Sequence, residues 1–176
     1  MNRPFRRGAT LIVTLVLAAL PALAQEADLD NPWVAREIFG RYATAAWFAR
    51  LGDWNTAYRE YERAWRLNML SGELNARVAD ALFRLDRPAE AEKFARRAVD
   101  LDSDLADPWL LIGEIALERE DWAAADEAFN HRVRLKPDDL ETRLKLGLIR
   151  ETLGDHAGAA EAFRHYPNRR PGAAIA

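Results

Sequence analysis

With 25 basic and 28 acidic residues among 176, a formal charge of −3 and no cysteine, the chain excludes several functions before any pattern is read. It has no thiol for a disulfide, a thiolate zinc cluster, a lipid-modified cysteine or thiol chemistry. Acids and bases alternate along stretches such as Tyr58 to Arg66 instead of gathering into basic stripes, so no nucleic-acid partner is expected.

The chain opens with Arg3, Arg6 and Arg7, runs through twelve uncharged, mostly apolar residues from Ala9 to Leu20, and reaches Pro21 and the triplet Ala22-Leu23-Ala24. This layout predicts a secretory signal peptide over residues 1–24, cleaved before Gln25. Its loss removes three arginines and no acid, leaving 22 basic against 28 acidic residues, a charge of −6. The rival reading is an uncleaved anchor, because Gly8 to Ala24 makes 17 residues, the short limit for crossing a bilayer. In that case alone the protein touches a membrane. Arg6-Arg7 is followed by Gly8, Ala9 and Thr10, where a twin-arginine signal carries a bulky apolar pair, so general secretion is expected. Both readings put the remainder on the exported side of a bacterial inner membrane, and the cleaved form in the periplasm.

Residues 25–31 form an acidic lead-in and residues 167–176 a tail with two prolines; both are expected to be disordered. Between them the apolar residues keep helical spacing, and no alternating β-branched run is long enough for a strand. Asn31-Pro32 opens a helix that runs to about Leu51, and Gly52 and Asp53 turn the chain into a second, Trp54 to Leu67. The next pair covers about Glu73 to Leu85 and Pro88 to Leu101. Asp107-Pro108 opens a third pair, ending near Arg119 and then running from Trp122 to Leu135, and Pro137-Asp138-Asp139 separates it from a fourth over Leu140 to Leu153 and Ala157 to Tyr166.

These pairs repeat with a period of 34 residues. Ala57, Ala91, Ala125 and Ala159 form one column, and Ala45, Ala79, Gly113 and Gly147 form another. Leu67, Leu101 and Leu135 align as well, as do Leu51, Leu85 and Leu153, where the third copy has Arg119. In the third copy Trp109, Ile112, Gly113, Ala116, Ala125, Phe129 and Pro137 fall at the spacing W-x2-L-G-x2-Y, A-x3-F, P. The chain thus resembles the tetratricopeptide-repeat family from about Gly40 to Tyr166. The resemblance implies an all-α fold, a right-handed α-solenoid of four hairpins over 32–70, 72–105, 106–139 and 140–166, with first helices lining a concave groove.

Two helices that cross closely need a residue without bulk at the crossing, which the small columns supply while Tyr61, Phe129 and Phe163 fill in beside them. Trp54 and Trp122 are expected to plug the hairpin turns, where Pro88 and His156 stand in the other copies. In the last copy Arg150 and Glu151 replace pairs such as Leu82 and Phe83, which predicts a polar outer face that ends the stack in water. The family's extra closing helix is missing, leaving Ala160, Phe163 and Tyr166 as an open C-terminal end suited to a homodimer or a docked partner.

Neither a nucleophile with a base to orient it nor a pair of metal ligands at helical spacing stands out. His131 and His165 occupy equivalent places one repeat apart and read as solvated side chains. The expectation is therefore no catalysis, no cofactor and no metal, with an enzyme or metal-binding protein as the minority alternative. The resemblance implies a protein-interaction scaffold that holds a segment of another envelope protein during assembly of an envelope complex. An assembly factor anchored in the membrane and acting through its C-terminal end is the alternative. If the family's geometry applies, Tyr42, Leu110 and Leu144 face the groove, with Phe83 and Leu117 in a second column and Asp80 and Glu114 between. Cochaperone members grip a C-terminal carboxylate with Lys and Asn, but Tyr42 and Ala46 stand in those places, which disfavours such a client. Asp80, Glu114, Glu118, Glu73 and Asp107 are expected to repel one another, which favours an apolar client segment flanked by basic residues.

Overall fold

A computed structural model describes residues 31–164, and the expectations for residues 1–30 and 165–176 lie outside the described residues. The described residues form eight helices and no strand: α1 Pro32–Arg50, α2 Trp54–Leu67, α3 Gly72–Arg84, α4 Pro88–Leu101, α5 Ala106–Glu118, α6 Trp122–Leu135, α7 Leu140–Thr152 and α8 His156–Arg164. Consecutive helices pair as four hairpins. Their starts follow from capping chemistry, since a short polar side chain accepts a bond from an amide that the helix itself leaves unpaired. Asn31 accepts from the Trp33 amide at 3.1 Å, Asp53 from Thr56 at 3.0 Å, Ser71 from Leu74 at 3.2 Å and Asp121 from Ala124 at 3.1 Å. Pro32 and Pro88 occupy first turns, where no donor is needed.

Each hairpin turns through one left-handed residue at the same repeat position. Gly52 and Gly154 take this conformation at φ 80° and 78°, whereas Asp86 and Glu120 are forced into it at φ 59° and 56°.

The chain divides into two compact parts inside α5, between Leu111 and Ile112. In the first part the small columns sit at zero exposure, with Ala45, Ala57, Ala79 and Ala91 all inaccessible to solvent. Ile38, Leu74, Val78 and Leu82 fill the core around them, and the rings of Tyr42 and Tyr61 meet edge-on with centroids 5.6 Å apart. Polar groups are buried here too, and all are satisfied. Asn75 donates to the Met69 and Ser71 carbonyls at 3.0 and 2.8 Å and accepts from the Trp65 indole at 3.2 Å, which fixes the connection from α2 to α3.

In the second part Phe129 packs close against a glycine. A Cβ built on Gly113 would come within 2.5 Å of that ring, and one on Gly147 within 2.2 Å of Phe163. Glycine in these columns is therefore a packing requirement. Arg132, nearly buried, donates to Asp139 at 2.9 Å, while Asp139 also caps α7 through Thr142. Arg150 corrects an expectation. It is not a solvated outer-face residue: its guanidinium donates to Asp126 at 2.7 Å, Asn130 at 3.3 Å and the Gly158 carbonyl at 3.4 Å, tying α7 to α6 and α8. A guanidinium with five donors can meet three acceptors at once, so it replaces apolar cover as the closure of this hairpin. Glu151 does stay in solvent, beside the exposed His156.

Candidate functional site

Tyr42 offers no surface to a partner, which corrects its expected place on the groove. Its side chain has no exposed area, and its hydroxyl donates to Glu73 at 3.0 Å. Arg77 donates to the same oxygen, Glu73 Oε1, at 2.7 Å. Burial pushes the Tyr42 phenol above its ordinary range, and the same effect raises Tyr61 to about 12. Burial acts to discharge Arg77, but Glu73 and the two tyrosines outweigh it and hold the guanidinium firmly cationic. The group is a satisfied structural network.

Beside this network the first part opens a pocket of about 170 Å³, lined by Ala46, Ala49 and Arg50 of α1, Trp54 and Tyr61 of α2, and Arg77 and Asp80 of α3. Small residues late in α1 leave the space, and the tight turn at Gly52 brings Trp54 to its edge. Trp54 is only half-buried and carries the Arg84 guanidinium over its ring at 5.4 Å, so it lines the pocket instead of sealing the turn. Asp80 is half-exposed and bonds Arg84 at 3.5 Å. Arg50 has no ion-paired or hydrogen-bonded side-chain partner among the described residues. Phe83 and Leu110, also expected on the groove, are half-buried on α3 and α5.

In the second part Glu114, Leu117 and Glu118 follow one face of α5, and Glu141, Leu144, Lys145 and Leu148 one face of α7. Lys145 joins the two helices by donating to Glu114, and it pairs with Glu141 at 3.0 Å. Burial works to lower the Lys145 ammonium's pKa, yet the bonds to Glu114 and Glu141 raise it. Leu117 and Leu144 are half-exposed, and Leu148 is 56% exposed. Glu118 is exposed and unpaired among the described residues, so three acids here face one lysine.

The expected set of mutually repelling acids therefore does not exist as such. Glu73 is locked between Tyr42 and Arg77, Asp80 is paired with Arg84, and only the second part keeps an acidic surplus. Sequence reasoning missed Arg50, Ala49 and Arg77, because a pocket made where three helices converge leaves no mark in any one of them. The lone signal was Trp54, a large ring at a position that proline takes in the next copy. His131 is half-exposed on α6, and no cluster of three metal-ligating side chains occurs among the described residues. No described helix is long and apolar enough to cross a membrane.

Comparison with known proteins bears on this architecture. Residues 72–105 match the family model of the tetratricopeptide repeat. No curated protein matches the sequence. Among solved structures, MamA is similar at 22% identity and a TM-score of 0.61, over 68% of this chain and 70% of that one. A MamA RS-1 double mutant matches at 20% identity and 0.64, over 89% and 90%. The first tetratricopeptide domain of Spaghetti (RPAP3), bound to an HSP90 peptide, matches at 19% identity and 0.62, over 68% and 97%. At such identities the likeness concerns the fold, an all-α solenoid of helical hairpins. The likeness to the tetratricopeptide repeat is thus one of sequence over the second hairpin and of fold over most of the chain.

Proposed function

We propose that the protein is a non-enzymatic scaffold that holds a segment of another protein, and that the pocket beside Trp54 is its anchor point. The pocket carries this reading. Its 170 Å³ suits one apolar side chain, its floor is Ala46, Ala49, Trp54 and Tyr61, and Arg50 at its edge is free to bond a carboxylate or carbonyl of the bound chain. Solved structures of the same fold hold peptides, the RPAP3 domains with HSP90 and HSP70 peptides among them. In the second part Leu117, Leu144 and Leu148 beside Glu114, Glu118 and Glu141 fit an apolar stretch flanked by Lys or Arg. The charge of the client thus differs between the two surfaces, with an acid or carbonyl at Arg50 and a base at Glu118.

The setting we propose is the bacterial envelope, on the strength of Arg3, Arg6, Arg7, the apolar run and Ala22-Leu23-Ala24. N-terminal sequencing of the protein from its native host tests it: Gln25 as first residue supports export with cleavage, and recovery from the cytosol refutes export. The scaffold role is tested by a photo-crosslinking side chain placed at Ala49, at Leu148 and at the exposed Asn55. A discrete product at Ala49 and Leu148 that Asn55 does not give supports the reading. Identical patterns at all three sites overturn it.

A further inference from the structure

The face that α1 turns away from the core carries Trp33, 73% exposed, Trp47, 39% exposed, and Leu51, 63% exposed. At 3.6 residues per turn, positions 33, 40, 44, 47 and 51 fall in one stripe along the helix. Its centre is small and open. A Cβ built on Gly40 meets nothing within 4 Å, and Thr44 turns its hydroxyl onto the Gly40 carbonyl at 2.8 Å. The stripe is also symmetric, because Trp33 and Trp47 each stand seven residues from Gly40, about 10 Å along the axis.

That symmetry comes from an addition to the repeat. Helices α3, α5 and α7 have 13 residues each and begin at Gly72, Ala106 and Leu140, 34 residues apart. The equivalent residue of the first hairpin is Ile38, yet α1 has 19 residues and begins at Pro32. The additional six residues bring Trp33.

We propose that this face pairs with the same face of a second copy, the two α1 helices running antiparallel about a two-fold axis at Gly40. Trp33 of each copy then packs on Trp47 of the other, and the bare backbone at Gly40 lets the helices approach between them. A stripe with a tryptophan seven residues to either side of a small centre can lay each tryptophan on the other copy's. Charge does not oppose the pairing. Glu37 is taken by Arg41 at 2.5 Å and Arg41 also by Glu60 at 2.9 Å, so no unpaired acid borders the stripe among the described residues. The two Arg36 side chains would start about 12 Å apart along the axis, beyond a Debye length of about 8–10 Å. Two tryptophans and a leucine per copy make a small contact, below about 1,200 Å² in total, so the dimer is weak and concentration-dependent.

The chain's lack of cysteine makes the test clean. Helices crossing at about 8–10 Å, with Cα atoms about 2.3 Å from each axis, bring the two Gly40 Cα atoms to about 3.5–5.5 Å, overlapping the range of a disulfide. The full chain carrying Gly40→Cys is oxidised mildly in its host and compared with Asn55→Cys, an exposed site on α2. We expect disulfide-linked homodimer several-fold above the Asn55→Cys level, abolished when Trp47→Glu is added while the melting temperature is kept. Equal trapping at the two sites, capture of a different protein by Gly40→Cys, or trapping that survives Trp47→Glu would overturn the proposal.

Discussion

The part of the molecule up to Leu111 and the part from Ile112 solve one problem, crossing two helices at close range, with different side chains. The second sets Gly113 against Phe129 and Gly147 against Phe163, and at the equivalent repeat positions the first has Ala45 and Tyr61 in one hairpin and Ala79 and Ala95 in the other. The first part also buries a polar network, Tyr42 with Glu73 and Arg77, on residues other than the crossing pair and beside a pocket that Tyr61 helps to line. The second part pairs its buried and half-buried arginines with acids, Arg132 with Asp139 and Arg150 with Asp126.

The largest effect should come from emptying the Gly113 crossing. Phe129 has no exposed area, so Phe129→Ala is expected to cost about 3–5 kcal/mol, and Phe163→Ala, half-buried at the last hairpin, clearly less. Denaturant titration of the two variants checks this, and equal costs would mean that the last hairpin is as tightly closed as the third.

Removing the acid of the first part's network should cost less. Glu73→Leu leaves the Tyr42 hydroxyl without its acceptor and Arg77 without its counter-ion; with the Arg77 side chain still 28% exposed, about 2 kcal/mol is expected, where full burial would cost about 3–5. Glu90→Gln, which breaks an exposed and solvent-screened pair with Arg87, should leave the melting temperature essentially unchanged. Similar melting temperatures for these two variants would show the network to be dispensable.

The smallest effect is a difference in pH response. Burial raises the folded pKa of Tyr61 to about 12, and that of Tyr42 is raised as well. The unfolded phenols ionise first, near pH 10, so this stabilisation is present below about pH 10 and is lost as pH rises through the folded values. In the second part burial would raise Asp139, but the Thr142 amide and Arg132 outweigh it and hold the carboxyl low. Its contribution is complete above the ordinary carboxylate range and disappears as pH falls through the depressed value. Alkali should therefore release helix together with phenolate absorbance from Tyr42 and Tyr61. Asp139→Asn, which still caps α7, should lower stability by about 1 kcal/mol near neutrality and have no effect in acid. Tyrosines that all ionise near pH 10 with helicity intact would contradict the first half.

The sequence by itself determined the helices, their pairing and their ends, because these depend on neighbours: a cap such as Asp53 or Asp121 acts three residues away, and the 34-residue columns repeat the same local solution four times. It also marked Gly113 and Gly147 as crossings, since a position that admits only Ala or Gly in every copy announces a missing Cβ. Only the tertiary structure decided what each polar or aromatic residue does there. Tyr42 reads as groove-facing until Glu73, 31 residues away, is seen to hold its hydroxyl inside; Arg150 reads as a solvated end until Asp126 and Asn130 are found around it. The pocket beside Trp54 and the stripe centred on Gly40 were likewise invisible in the sequence. Each depends on which side of a helix is left uncovered once the others have packed, and that is settled by three-dimensional contact between segments far apart in the chain.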